Sequence, residues 1–160
     1  MFISSMQPKS KRKVILAASW GAVAVCMAVI FFLSHDTAAV SAEKSNGFIA
    51  LLLKKFGIAV SSHVIRKTAH ALEYCGLALL LYNACFQTFR APQPLLCMLT
   101  AVLYAASDEI HQYFISGRAC QMRDVFIDFV GAAVGTAVCT AIWYIFRRIQ
   151  KKRGINNGSI

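Results

Sequence analysis

Residues 66–74 read Arg-Lys-Thr-Ala-His-Ala-Leu-Glu-Tyr and open an apolar run that continues to Phe86. A membrane helix has no routine use for Arg, Lys, His and Glu in its first two turns. Ionisable groups at membrane depth are expensive and face protein or water rather than lipid. On a helix Arg66, His70 and Glu73 fall at i, i+4 and i+7, so they share one face. Two later stretches have the same character: Asp108-Glu109-Ile110-His111-Gln112, and Arg118 through Arg123-Asp124 to Asp128. The expectation is that the three stretches meet in space and form one site.

Composition fixes the solvent. The chain is 58% hydrophobic and 15% charged, with positive mean hydropathy, which is a membrane composition. The formal net charge of +10 would point to nucleic acid in a soluble domain. Here the basic residues flank apolar segments, so topology and anionic lipid account for them better. No nucleic-acid motif is present, and no nucleic-acid partner is expected. Of the six cysteines, five lie in apolar segments, where Cys acts as a small hydrophobe. None has zinc-type spacing, and only Cys120 sits in a polar connection, so no structural disulfide is expected.

Taken in order, Lys9, Lys11, Arg12 and Lys13 precede Val14–Leu33, twenty uncharged residues. That length crosses a hydrocarbon core of roughly 30 Å. A cleaved signal peptide is the competing reading, through Val40-Ser41-Ala42, but the apolar core is too long and ends too early. Ser34–Asn46 reads as an exposed polar loop. Phe48–Val60 is short and amphipathic, with Phe48, Leu52, Phe56 and Val60 at successive i+4 positions, which fits an interfacial helix or one packed on the bundle. Further spans are expected at about 66–86, 95–113 and 123–146, with Pro92 and Pro94 turning the chain between the second and third. The expected fold is therefore all-α: a polytopic four-helix transmembrane bundle with a short interfacial helix, forming a single domain.

Charge sets the orientation. With Lys9–Lys13 cytoplasmic, four spans bring Arg147, Arg148, Lys151, Lys152 and Arg153 back to the same side, and ten of the 17 Lys and Arg lie inside. Both termini are thus expected in the cytoplasm. All three charged stretches then fall at the outer face, which no local motif required.

On the fourth span Asp124, Asp128, Gly131 and Gly135 make one stripe, and Gly131-x-x-x-Gly135 permits close helix approach. The acids are therefore expected to point into the bundle. Asp108 and Gln112 share a face at i+4, and His111 joins Asp108 at i+3. Three readings stand side by side. The first is a structural ion-pair network, since a buried charge must be paired. The second is an acid–base or metal-assisted enzyme, which His70, His111 and the carboxylates permit by type. No zinc motif is matched, however, and Ser107 and Ser116 are nucleophile candidates by type alone. The third is a binding site, with Arg66, Arg118 and Arg123 placed to hold a phosphate bidentately.

The elements Arg66-Lys67-x-x-His70-x-x-Glu73-Tyr74, Asp108-Glu109-x-His111-Gln112, Arg118 and Asp124-x-x-x-Asp128-x-x-Gly131-x-x-x-Gly135 stand in this order over about Val64–Val138. In them the chain resembles the VanZ-like family of small bacterial membrane proteins. Phe32-x-Ser34 is a weaker echo of the same family. The resemblance implies a helical integral protein of the bacterial cell membrane, in a family associated with glycopeptide (teicoplanin) resistance. It supplies no reaction.

The functional cluster expected from these readings is Arg66, His70, Glu73, Tyr74, Asp108, Glu109, His111, Gln112, Arg118, Asp124 and Asp128. Arg66 is expected to pair with Glu73 or Asp128. The expected activity is recognition of an anionic lipid headgroup, or of a lipid-linked envelope precursor, from outside the membrane. No cofactor or metal is called for, and the alternative is a membrane-embedded hydrolase or transferase acting on such a lipid. The sequence does not determine the oligomeric state.

Overall fold

The computed structural model describes residues 9–56, 61–115 and 122–153. These form five helices: α1 (Lys9–Ser34), α2 (Ala38–Phe56), α3 (Ser62–Phe89), α4 (Pro94–Tyr113) and α5 (Met122–Lys152). No strand occurs among the described residues.

Local chemistry sets the boundaries. Ser61 caps α3 in extended conformation, its hydroxyl accepting from the Val64 amide at 3.3 Å, which satisfies one of the free N–H groups of the first turn. Arg90 closes α3 in the left-handed region at φ 59°, its amide donating to the Phe86 carbonyl. Pro94 then begins α4 at a first-turn position, where a missing N–H costs nothing.

One sequence expectation changes here. Ser34–Asn46 is not an exposed loop: after a turn at 35–37 the chain is helical again from Ala38. Thr37 Oγ1 receives the Val40 amide at 3.4 Å, and the Ala-Ala-Val-Ser-Ala-Glu-Lys run that follows holds no helix breaker. Val40-Ser41-Ala42 therefore lies inside α2. The apolar repeat read over Phe48–Val60 falls on this longer helix, with Val60 outside the described residues.

Cross-helix contacts give the directions. Lys67, His70 and Tyr74 on α3 rise in step with Asp124 and Asp128 on α5, so these two helices run parallel. Met27, Ser34 and His35 on α1 rise with Tyr104, Asp108 and His111 on α4, so this pair is parallel too. Asn83 donates to Ser19 at 3.1 Å and Trp20 to Thr88 at 3.1 Å. With Ser34 at the opposite end of α1, α1 and α3 are antiparallel. The described parts of all three charged stretches therefore reach the same end of the bundle, together with the end of α1.

Helix α3 is the hub, in contact with each of the other four, while α2 packs on α3 alone among the described residues. The core is built on Tyr74, Leu77, Ala78, Leu81 and Cys85 of α3, Cys97, Ala101 and Ala105 of α4, Ala132 of α5, and Val23 and Ile30 of α1. Cys26, Cys75, Cys85, Cys97 and Cys139 are free thiols, and Cys120 lies outside the described residues. The closest approach is between α3 and α5. A Cβ on Gly131 would fall on the backbone carbonyl of Ala71, and one on Gly135 would stand 2.6 Å from the Cys75 carbonyl oxygen. The Gly131-x-x-x-Gly135 stripe is thus the seam that lets two backbones touch.

The outside is apolar. On α4 Leu95, Leu99, Leu103 and Ile110 are exposed, and on α5 Phe126, Val130, Val134, Val138 and Ile142 form an exposed row at i+4. A soluble monomer does not present such continuous faces to water. Among the described residues two helices, Ser10–Ser34 and Met122–Lys152, are long and apolar enough to cross a membrane. The expected spans at 66–86 and 95–113 lie within α3 and α4, but their polar residues keep those helices below that standard, so four crossings are not established by hydropathy.

The seam makes a clear prediction. Gly131→Ala should lower the melting temperature in detergent, through overpacking worth about 1–3 kcal/mol or more, because the obstacle is backbone. Gly21→Ala, where nothing lies within 4 Å of the added methyl, should leave it unchanged or raise it.

Candidate functional site

The acids enter the site by helix periodicity. Asp108 and Gln112 stand one turn apart on α4, and the Gln112 amide donates to Asp108 Oδ2 at 3.1 Å. The same oxygen accepts from the Ser34 hydroxyl of α1 at 2.8 Å. Ser34 and Asp108 are 1% and 3% exposed, so this is an enclosed hydrogen bond to a carboxylate, of the stronger kind. One residue on, His35 Nδ1 lies 3.2 Å from His111 Nε2, with Phe31 against the His111 ring at 4.5 Å between centroids. Nearer the middle of the bundle the Tyr104 hydroxyl donates to the Met27 carbonyl at 2.6 Å.

On the other side of the cluster α3 meets α5. Lys67 forms an ion pair with Asp124, both about one-fifth exposed. One turn deeper, His70 Nδ1 stands 3.8 Å from Glu73 Oε2 and 3.9 Å from Asp128 Oδ1, beyond hydrogen-bond distance from either. Asp128 is 2% exposed, and its Oδ1 has no hydrogen-bond partner. Tyr74 is fully buried, its ring 6.2 Å from that of Tyr104. Its hydroxyl has no hydrogen-bond partner and lies within the field of Asp108, Asp128 and Glu73. Asp128 in turn feels Asp108, Glu109, Asp124 and Glu73. At the rim Arg123 is exposed and meets His63 Nε2 at 3.3 Å.

The structure thus gathers His70, Glu73, Tyr74, Asp108, Glu109, His111, Gln112, Asp124 and Asp128 at one end of the bundle. Arg118 lies outside the described residues, as does Ser116. The expected pairing of Arg66 with Glu73 or Asp128 is not formed. His70 occupies the position between the two acids, one turn nearer to them on the shared stripe. Among the described residues Arg66 has no ion pair, and its half-buried guanidinium keeps a buried Nε without a hydrogen-bond partner. Sequence reasoning missed His35, His63 and Tyr104 and undervalued Ser34. The one available signal was that α1 must end where α4 ends, which places Ser34 and His35 beside Asp108 and His111. No set of three His, Cys, Asp or Glu side chains arranged to hold a metal occurs among the described residues.

Chemically this is an acidic interior under a basic rim. Among the described residues Asp124 is held by Lys67, Asp108 by the Ser34 hydroxyl and the Gln112 amide, and Asp128 lies nearest the His70 imidazole.

Fold and site define a helical protein with two membrane-length apolar helices and a charged cluster enclosed at one end. The chain belongs to the VanZ/LLP1 family, whose model matches residues 19–147. No curated protein and no solved structure matches it. Family and apolar helices together make it a membrane protein.

The Lys67–Asp124 pair can be tested by a double-mutant cycle. Lys67→Met should destabilise the protein, because it strands a half-buried carboxylate. Adding Asp124→Leu should recover much of the loss, with a coupling of about 1–3 kcal/mol read from unfolding in detergent.

Proposed function

We propose that the protein is a multi-pass membrane protein of the cell envelope that binds an anionic headgroup, of a lipid or a lipid-linked precursor, at its extracytoplasmic end. The observation that carries this reading is Arg66. A guanidinium is charged at every physiological pH and needs a counter-anion when it leaves water. Acids from several helices stand at the same end of the bundle, yet among the described residues none pairs with Arg66. An external phosphate or carboxylate would complete it bidentately. Arg123 would add charge from the rim.

In this reading α1, α3, α4 and α5 cross the membrane and both termini are cytoplasmic. The basic flanks at 9–13 and 147–153 support that orientation. The apolar rows on α4 and α5 face lipid, and α2 lies at the outer interface with Phe48 and Leu51 exposed. A hydrolase or transferase acting on the same class of lipid is the alternative. It is favoured by the placing of His70 between Glu73 and Asp128, a geometry suited to proton transfer.

Topology is read by thiol labelling in a background lacking the native cysteines. Cysteine in place of Glu43 should react with an impermeant reagent in intact cells, and cysteine in place of Ile155 only after permeabilisation. Labelling on the same side for both rejects the four-crossing arrangement. Binding is read with vesicles of phosphatidylglycerol. Arg66→Ala should weaken binding about tenfold or more, the value of a charge-assisted hydrogen bond, with Arg66→Lys intermediate. Turnover of a lipid-linked substrate that is lost on changing His70 would favour the enzyme instead.

A further inference from the structure

Three buried oxygens from three helices stand without a hydrogen-bond partner at the core of the cluster: the Tyr74 hydroxyl of α3, Asp108 Oδ1 of α4 and Asp128 Oδ1 of α5. Their residues are 0%, 3% and 2% exposed. A native interior leaves few such groups, and each one calls for water, an ion or a ligand. Among the described residues no neighbour is seen to supply the missing donors. The Ser34 hydroxyl and the Gln112 amide both donate to the other oxygen of Asp108. The Lys67 ammonium is held by Asp124. His70 stays 3.9 Å from Asp128. The Tyr104 hydroxyl is turned to the Met27 carbonyl. Among the described residues the free Asp108 and Asp128 oxygens are left to accept from a cationic N–H donor, and the Tyr74 hydroxyl can accept beside them.

We infer that the cluster receives a primary ammonium, so that the ligand is a zwitterion whose anionic group meets Arg66 and whose amine meets Asp108, Asp128 and Tyr74. This rests on the anion-binding role proposed for Arg66 and deepens it. An ammonium carries one positive charge and three donors, matching three unpartnered oxygens. It makes contacts of about 2.8 Å, longer than the roughly 2.0–2.5 Å bonds of a metal ion. That agrees with acids that approach one another without making a three-ligand metal set among the described residues. The route is the α3 stripe. Arg66, His70 and Glu73 are half-buried on one face, and they lead from the exposed end to Asp128. Phosphoethanolamine joins the two charges by a two-carbon link, and it is the simplest probe of this chemistry.

The test uses the full chain in detergent, titrated with phosphatidylethanolamine, phosphatidylglycerol or phosphatidylcholine, with binding and melting temperature as readouts. Free O-phosphoethanolamine and inorganic phosphate form a second arm. Phosphatidylethanolamine should bind about tenfold more tightly than phosphatidylcholine, whose quaternary nitrogen has no N–H to donate. It should exceed phosphatidylglycerol by a similar factor. Asp128→Asn and the isosteric Tyr74→Phe should each reduce that preference, whereas Arg66→Ala should weaken binding of all three lipids. Tyr74→Phe serves if Asp128→Asn fails to fold. If free O-phosphoethanolamine binds with the same dependence on Asp128 and Tyr74, the zwitterion stands and its source is soluble. Equal binding of the three lipids, still lost in Arg66→Ala, overturns the ammonium and leaves the anion site. Binding indifferent to Arg66→Ala, Asp128→Asn and Tyr74→Phe overturns both.

Discussion

The contact between the backbones of α3 and α5 is the constraint on which the rest depends. Gly131 and Gly135 carry no Cβ, so α5 lies directly on the carbonyls of Ala71 and Cys75. That approach fixes the register of two parallel helices. One turn toward the charged end it sets His70 near Asp128, and a further turn sets Lys67 on Asp124. A wider seam would separate charges that have few other partners. Without a hydrophobic force between helices in lipid, close van der Waals contact of this kind is a main source of helix association.

The seam also explains the enclosed acids. Asp128 belongs to the same face of α5 as the two glycines, so the packing that buries Gly131 buries Asp128 as well. Burial of a carboxylate is costly unless it is paired or hydrogen-bonded. Asp108 is provided with Ser34 and Gln112. Asp128 has only a distant imidazole, and the Tyr74 hydroxyl beside it is unpartnered. Groups left in this condition mark a functional site more often than a stability device, since buried polar groups kept for stability are satisfied.

The cluster is also unequal from side to side. Toward α1 and α4 it is closed by short hydrogen bonds and aromatic contact through Phe31 and His111. Toward α3 it is partly open, with Arg66, His70 and Glu73 at intermediate exposure. A ligand that entered would do so along the α3 stripe, the side that is not sealed from outside.

The sequence by itself determined a great deal. Apolar length located α1, α3, α4 and α5. The i, i+4 and i+7 spacings put the charged residues on inward faces, and Gly131-x-x-x-Gly135 marked a close crossing. These are local or periodic signals, and helix geometry carries them without knowledge of neighbours. The sequence misread Ser34–Asn46 as a loop, because small and polar residues suit a helix as well as a loop, and only packing against α3 separates the two. It also paired Arg66 with Glu73 or Asp128 by charge and by their depth of one to two turns below the surface. Only the tertiary structure decided that Lys67 takes Asp124, that His70 stands between Glu73 and Asp128, and that Ser34 and His35 join from 74 and 76 residues away. Opposite charges at one end of a bundle admit many pairings, and the choice among them is made by a few ångströms of helix register, which no single segment contains.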